Sequence, residues 1–100
     1  MFTVSTDELL EMRKDLFLQD HILNIKHDVG TCWYDLGIAL GIEIAIVQCI
    51  DKDYRTSPEK AHRVLEKWIE QNGREATVGR LASALIRMEK KSIADKLLGM

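Results

Sequence analysis

An all-α fold is what this sequence predicts, and three observations carry the prediction. Apolar residues recur at the 3.6-residue helical period in at least five segments, and each of those segments has an end signal. The one run that could pass for a buried strand, Ile42 to Ile50, has no second strand to pair with. The connections between segments are only a few residues long, as in a helical bundle. With 100 residues, 46% apolar and 30% charged, the chain is large enough for one domain with a real core.

The first element opens at about Thr6. Ser5-Thr6-Asp7-Glu8 reads as an S-x-x-E capping box, with Val4 and Leu9 in the positions of a hydrophobic staple. Leu9, Leu10, Met12, Leu16 and Phe17 follow, and Ile22, Leu23, Ile25 and Val29 continue the apolar pattern to Gly30. The spacing slips near Leu18 to Asp20, which favours two helices with a bend over one long helix. Trp33, Leu36, Gly37 and Leu40 form the next stripe, closed by Gly41, and Ile42 to Ile50 is read as a third helix.

The most regular stripe belongs to SPEKAHRVLEKWIEQNG, Ser57 to Gly73, where Ser57 is the expected N-cap and Pro58 the first helical residue. Ala61, Val64, Leu65, Trp68 and Ile69 gather on one face, opposite Lys60, Arg63, Glu66, Lys67 and Glu70, so this helix is expected to be the spine of the bundle. Thr77 can cap a further helix with Val78, Leu81, Ala82, Leu85 and Met88 inside, and Lys90-Lys91-Ser92 leads to a last one carrying Ile93, Ala94, Leu97 and Leu98. No internal repeat or low-complexity segment interrupts the chain.

Several function classes find no support. His21, His27 and His62 do not have metal-ligand spacing, Cys32 and Cys49 form no C-x-x-C pair, and a Cys32/His27 nucleophile would lack a third group and an oxyanion loop. Gly37 and Gly41 lack the lysine of a phosphate loop, so no enzyme and no cofactor is expected. The alternative of a small helical nucleic-acid-binding domain needs a basic recognition helix, and Ile42 to Ile50 has no Lys or Arg. No stretch is long and apolar enough to span a bilayer, no secretory segment follows Met1, and two cysteines fit free thiols in a reducing compartment. The net charge of −2 conceals an asymmetry: residues 1–50 carry eight acids and three Lys/Arg, net −5, and residues 51–100 carry eight acids and eleven Lys/Arg, net +3. That division suits charge-complementary protein contacts better than nucleic acid.

The order and spacing of the strongest residues are Val29-Gly30-x-x-Trp33-x-x-Leu36-x-x-x-Leu40-Gly41, then Val64-Leu65-x-x-Trp68, then Ala76-Thr77-x-x-x-Leu81-x-x-x-Leu85. This pattern resembles a death domain, and the resemblance runs from about Asp20 to Leu98. WIEQNGREAT is similar to a segment of ankyrin death domains, and RLASALIRMEK to one of netrin-receptor death domains. Two departures stand out. Ile42-Glu43-Ile44-Ala45 occupies the place of an S-E-x-E turn, and Glu89-Lys90-Lys91 replaces a region that often holds a Gly.

The resemblance implies a six-helix antiparallel Greek-key bundle at residues 20–100, with residues 1–19 an N-terminal helical extension or the start of the first helix. It places Trp33, Leu36, Leu40, Val64, Leu65, Trp68, Leu81 and Leu85 in the core. It also implies a non-catalytic adaptor or scaffold module of apoptotic, immune or receptor signalling in the cytoplasm, alone or as the cytoplasmic part of a larger receptor or scaffold. Its partners would be other death domains, homotypic or heterotypic, including itself, with no nucleic acid and no membrane contact of its own. By analogy one face, with Lys60, Arg63 and Lys67, would join a second face with Asp35, Glu43 and Ile44, a heterologous contact that permits open helical assemblies.

Overall fold

The computed structural model describes Glu8 and residues 12–99. The expected capping box and staple at Val4 to Leu9 lie outside the described residues, Glu8 apart, which is helical. Six α-helices follow: α1 (Gln19–Val29), α2 (Trp33–Ala39), α3 (Ile44–Asp53), α4 (Ser57–Asn72), α5 (Val78–Arg87) and α6 (Lys91–Leu98), with 3-10 turns at Gly30–Cys32 and Gly73–Glu75. They form a helical bundle, and no strand occurs among the described residues.

The packing follows from α4. Its stripe of Ala61, Val64, Leu65 and Trp68 is buried, and α1, α2 and α3 all pack against it. Helices α5 and α6 pack on each other, and they close the core through contacts of α6 with α1 and α5 with α2. A close approach is made at Gly37 of α2, where a Cβ would come within 3.2 Å of Val47 Cγ2 on α3 and 3.4 Å of Val64 Cγ1 on α4. A side chain at this position would hold the three helices apart.

Helix ends explain most of the boundaries. Gly30 and Gly73 take positive φ, 50° and 56°, where L residues are strained, and so terminate α1 and α4. The N-cap of α4 is Thr56 and not Ser57: Thr56 Oγ1 accepts the Glu59 N–H at 3.3 Å and donates to Glu59 Oε1 at 3.0 Å. The reason is that T-x-x-E returns a carboxylate to the cap at the positive end of the helix, whereas capping at Ser57 would put Lys60 there. Thr77 caps α5 as expected, accepting the Arg80 N–H at 3.2 Å. The third helix starts two residues later than predicted and runs to Asp53, because Ile42 turns inward and its N–H is taken by Gly37 C=O at 3.1 Å.

The break in the N-terminal pattern is an extended strap, Arg13 to Leu18, that crosses the start of α5. Asp15 C=O accepts the Val78 N–H and Arg13 C=O the Gly79 N–H, both at 2.9 Å, while the Phe17 N–H donates to Ala76 C=O at 2.8 Å. With Thr77, the strap supplies acceptors for the first three N–H groups of α5, which have no intrahelical partner. Phe17 is buried, stacked on His21 and edge-on to Trp68, and His21 Nδ1 accepts the Leu18 N–H at 2.9 Å to start α1.

Trp33, Leu36, Val64, Leu65, Trp68, Leu81 and Leu85 are buried. Leu40, the C-cap residue of α2, is half-buried and packs against that core beside a groove edged by Arg80 and Arg87.

Candidate protein interface

The polar face of α4 is largely satisfied within the chain. Lys60 Nζ lies 2.6 Å from Asp51 Oδ1 of α3 and 5.3 Å from the Trp33 ring centroid, and its side chain is only 17% exposed. Its ammonium lies over the indole and pairs with Asp51, which ties α2, α3 and α4 together. Arg63 lies 3.2 Å from Glu70 and 3.7 Å from Glu66, and hydrogen bonding to Glu70 raises its pKa above the ordinary guanidinium value. Lys67, half-buried, has no carboxylate within ion-pairing distance among the described residues, unlike the other two cations of the predicted trio.

Arg63 and Lys67 edge a shallow groove of about 440 Å³ between α3 and α4, with Ala45, Ile46, Cys49 and Tyr54 along it and Asp53 at one end. Its walls are mainly apolar and its rim is charged, the composition of a protein contact. It lies beside the side of α3 that faces away from the core.

The second predicted face is more open. Asp35 and Glu43 are exposed and neither has an ion-pair partner among the described residues. Ile44, at the first position of α3, is 56% exposed, while Ile42 is buried. The sequence reasoning missed Ile38, 43% exposed and one turn from Asp35 on the outer side of α2. The signal was available, since Ile38 falls off the Trp33, Leu36, Gly37, Leu40 stripe. Asp35 thus lies one turn from Ile38 on α2, and Glu43 directly precedes Ile44 at the start of α3.

The charge asymmetry of the two halves is partly cancelled in space. Asp28 of α1, from the acidic half, pairs with Lys96 of α6, from the basic half, at 2.7 Å, whereas the Asp51–Lys60 pair lies within the basic half. Both cysteines are free thiols, Cys49 exposed and Cys32 half-buried. Burial pushes the Cys32 thiol above its ordinary value, which makes it a poorer nucleophile at neutral pH. Among the described residues no three His, Cys, Asp or Glu side chains are grouped to hold a metal, and no helix is long and apolar enough to cross a membrane.

The family model described as Death domain matches residues 19–100. No curated protein and no solved structure matches the sequence.

Proposed function

The chain belongs to the death-domain family, whose members are interaction modules of signalling, and from that premise we propose that it assembles with other death domains through two unlike faces. Death domains mediate homotypic and heterotypic protein contacts and are generally non-catalytic. For this chain the proposed acidic face is Asp35, Glu43 and Ile44, extended by Ile38. The proposed cationic face is Lys67 with Arg63 at the rim of the α3–α4 groove, without Lys60.

The observation that carries the reading is the pairing of unspent charge with exposed apolar side chains: Asp35 lies one turn from Ile38, Glu43 is next to Ile44, and Lys67 edges a mainly apolar groove. Charge supplies register and on-rate, and the isoleucines supply area to bury. We place the module in the cytoplasm, as part of an adaptor, receptor or scaffold in apoptotic or immune signalling. We also place the module proper at residues 20–100, with 1–19 as its N-terminal extension.

A binding titration against a panel of purified death domains, this chain included, tests the proposal. Raising salt from about 0.01 to 1 M shortens the screening length from about 30 to 3 Å and is expected to weaken binding. Lys67→Glu and Asp35→Lys are each expected to weaken it with the helical spectrum unchanged. A panel in which both variants bind like the wild type would place the interface elsewhere.

A further inference from the structure

Helix α3 has an exposed surface that the core does not absorb and that overlaps both proposed faces, with Ile44 in the acidic one and Ala45 and Cys49 along the groove. Ile44, Ala45, Gln48, Cys49 and Lys52 are all exposed, and they fall at i, i+1, i+4, i+5 and i+8. That spacing puts them on one stripe, diametrically opposite Val47 and Ile50, which are buried. From Ile44 to Ile50 the helix carries no charged side chain, although this side faces water. A solvent-facing helix of an ordinary domain carries its charges there.

The stripe is bounded by opposite charges. Exposed Glu43 precedes its first turn and exposed Lys52 lies in its last, and neither has an ion-pair partner among the described residues. A helix with an uncharged centre, an acid at one end and a base at the other is complementary to itself when turned end for end. We infer that this chain forms a two-fold symmetric dimer in which α3 packs antiparallel against α3 of a second copy. The axis passes at Gln48, the middle of the stripe.

Each part of the stripe then has a role. Glu43 of each copy meets Lys52 of the other, twice by symmetry. The two Gln48 amides face each other on the axis, where an amide can both donate and accept. Ile44 lies along the aliphatic stem of the opposing Lys52, and Ala45 and Cys49 are small enough for the helices to approach. Ten residues give a helix about 15 Å long, so the contact stays well below the ~1,600 Å² of a standard interface. The dimer is therefore weak, with a dissociation constant between about 10 μM and 1 mM.

The dimer stands on the stripe alone. Its consequence rests on the proposed assembly reading: because it covers Glu43 and Ile44, the closed pair withholds the acidic face from further stacking.

Sedimentation of the wild-type chain over a concentration series up to about 1 mM reads the dimer directly. Gln48→Arg, which sets two like charges on the axis, is expected to abolish it with an unchanged helical spectrum. Glu43→Lys and Lys52→Glu are each expected to weaken it about tenfold, the loss of two exposed ion pairs, and the double swap Glu43→Lys with Lys52→Glu to restore it. A short bismaleimide should join the chains through Cys49, which lies one residue from the axis, and the product should vanish in Cys49→Ser. A chain that is monomeric throughout the series, or a dimer untouched by Gln48→Arg, overturns the inference. So does a Lys52→Glu variant that dimerises normally, since the heterologous contact proposed above would use Lys67 in its place. Death-domain binding is measured separately with Lys67→Glu, which leaves the α3 stripe intact, so either idea can fail without the other.

Discussion

Helices α4 and α3 are neighbours that use apolar side chains in opposite ways. In α4 the stripe residues Ala61, Val64, Leu65 and Trp68 are buried, and the polar face is held by internal partners: Lys60 with Asp51, and Arg63 with Glu66 and Glu70. In α3 only Val47 and Ile50 are buried, and Ile44 and Ala45 remain in water on a face without charge. The core buries four of the five stripe residues of α4, with Ile69 half-buried beside them, while on α3 it buries only Val47 and Ile50 and half-buries Ile46. The excess on α3, together with Ile38 on α2, is the surface proposed to meet another protein.

That contrast can be broken first at α4. Trp68 is buried and edge-on to Phe17, which the strap carries into the core, so Trp68→Ala is expected to cost about 3 to 5 kcal/mol. A domain stable by about 5 to 15 kcal/mol would retain little margin. A denaturant midpoint close to wild type would mean that α4 is not the centre of the bundle. The next largest effect is expected where the two helices meet α2. Gly37→Leu forces a side chain into space already held by Val47 and Val64 and should cost about 1 to 3 kcal/mol, read from the same unfolding curves.

How far the sequence reveals these two helices differs for a physical reason. The α4 stripe, the capped start of α5 at Thr77 and the glycine stops at Gly30 and Gly73 are local features, and local rules read them. The strap is not local: Leu16 and Leu18 point outward and Phe17 inward, a two-residue alternation too short to separate from a slipped helical pattern, and its hydrogen bonds go to residues about 60 positions away. The fate of Lys60 was hidden likewise, since its partner Asp51 and the Trp33 ring meet it only in the folded chain. For the candidate interface, Asp35, Glu43 and Ile44 could be named from sequence by family analogy, while Ile38 needed a measure of what the core leaves uncovered.

A smaller effect, of opposite sign, is expected at Glu89. It has φ of 62°, the left-handed conformation in which the Lys90 N–H reaches Leu85 C=O at 2.8 Å to close α5. Glu89→Gly removes that strain and is expected to stabilise the fold by about 0.5 to 1 kcal/mol, a rise of about 3 to 6 °C in Tm. A lower Tm would mean that the glutamate side chain contributes more than its backbone costs. The smallest effect concerns the thiols. Cys32 is half-buried with its thiol pushed up by desolvation, while Cys49 is exposed on α3, so alkylation near pH 7.5 should modify Cys49 about tenfold faster than Cys32. Equal rates would show that the Cys32 site opens readily.

The claim that α4 holds the molecule together while the surplus of α3 binds is tested most directly by Ile44→Asp, measured twice on the same sample. Ile44 sits at the N-terminal end of α3 with more than half of its surface in water, so a carboxylate there faces solvent and the positive end of the helix. The account predicts a denaturant midpoint within about 0.5 kcal/mol of wild type, together with loss of both self-association and death-domain binding. A destabilised variant, or a stable one that still associates with wild-type affinity, would contradict it.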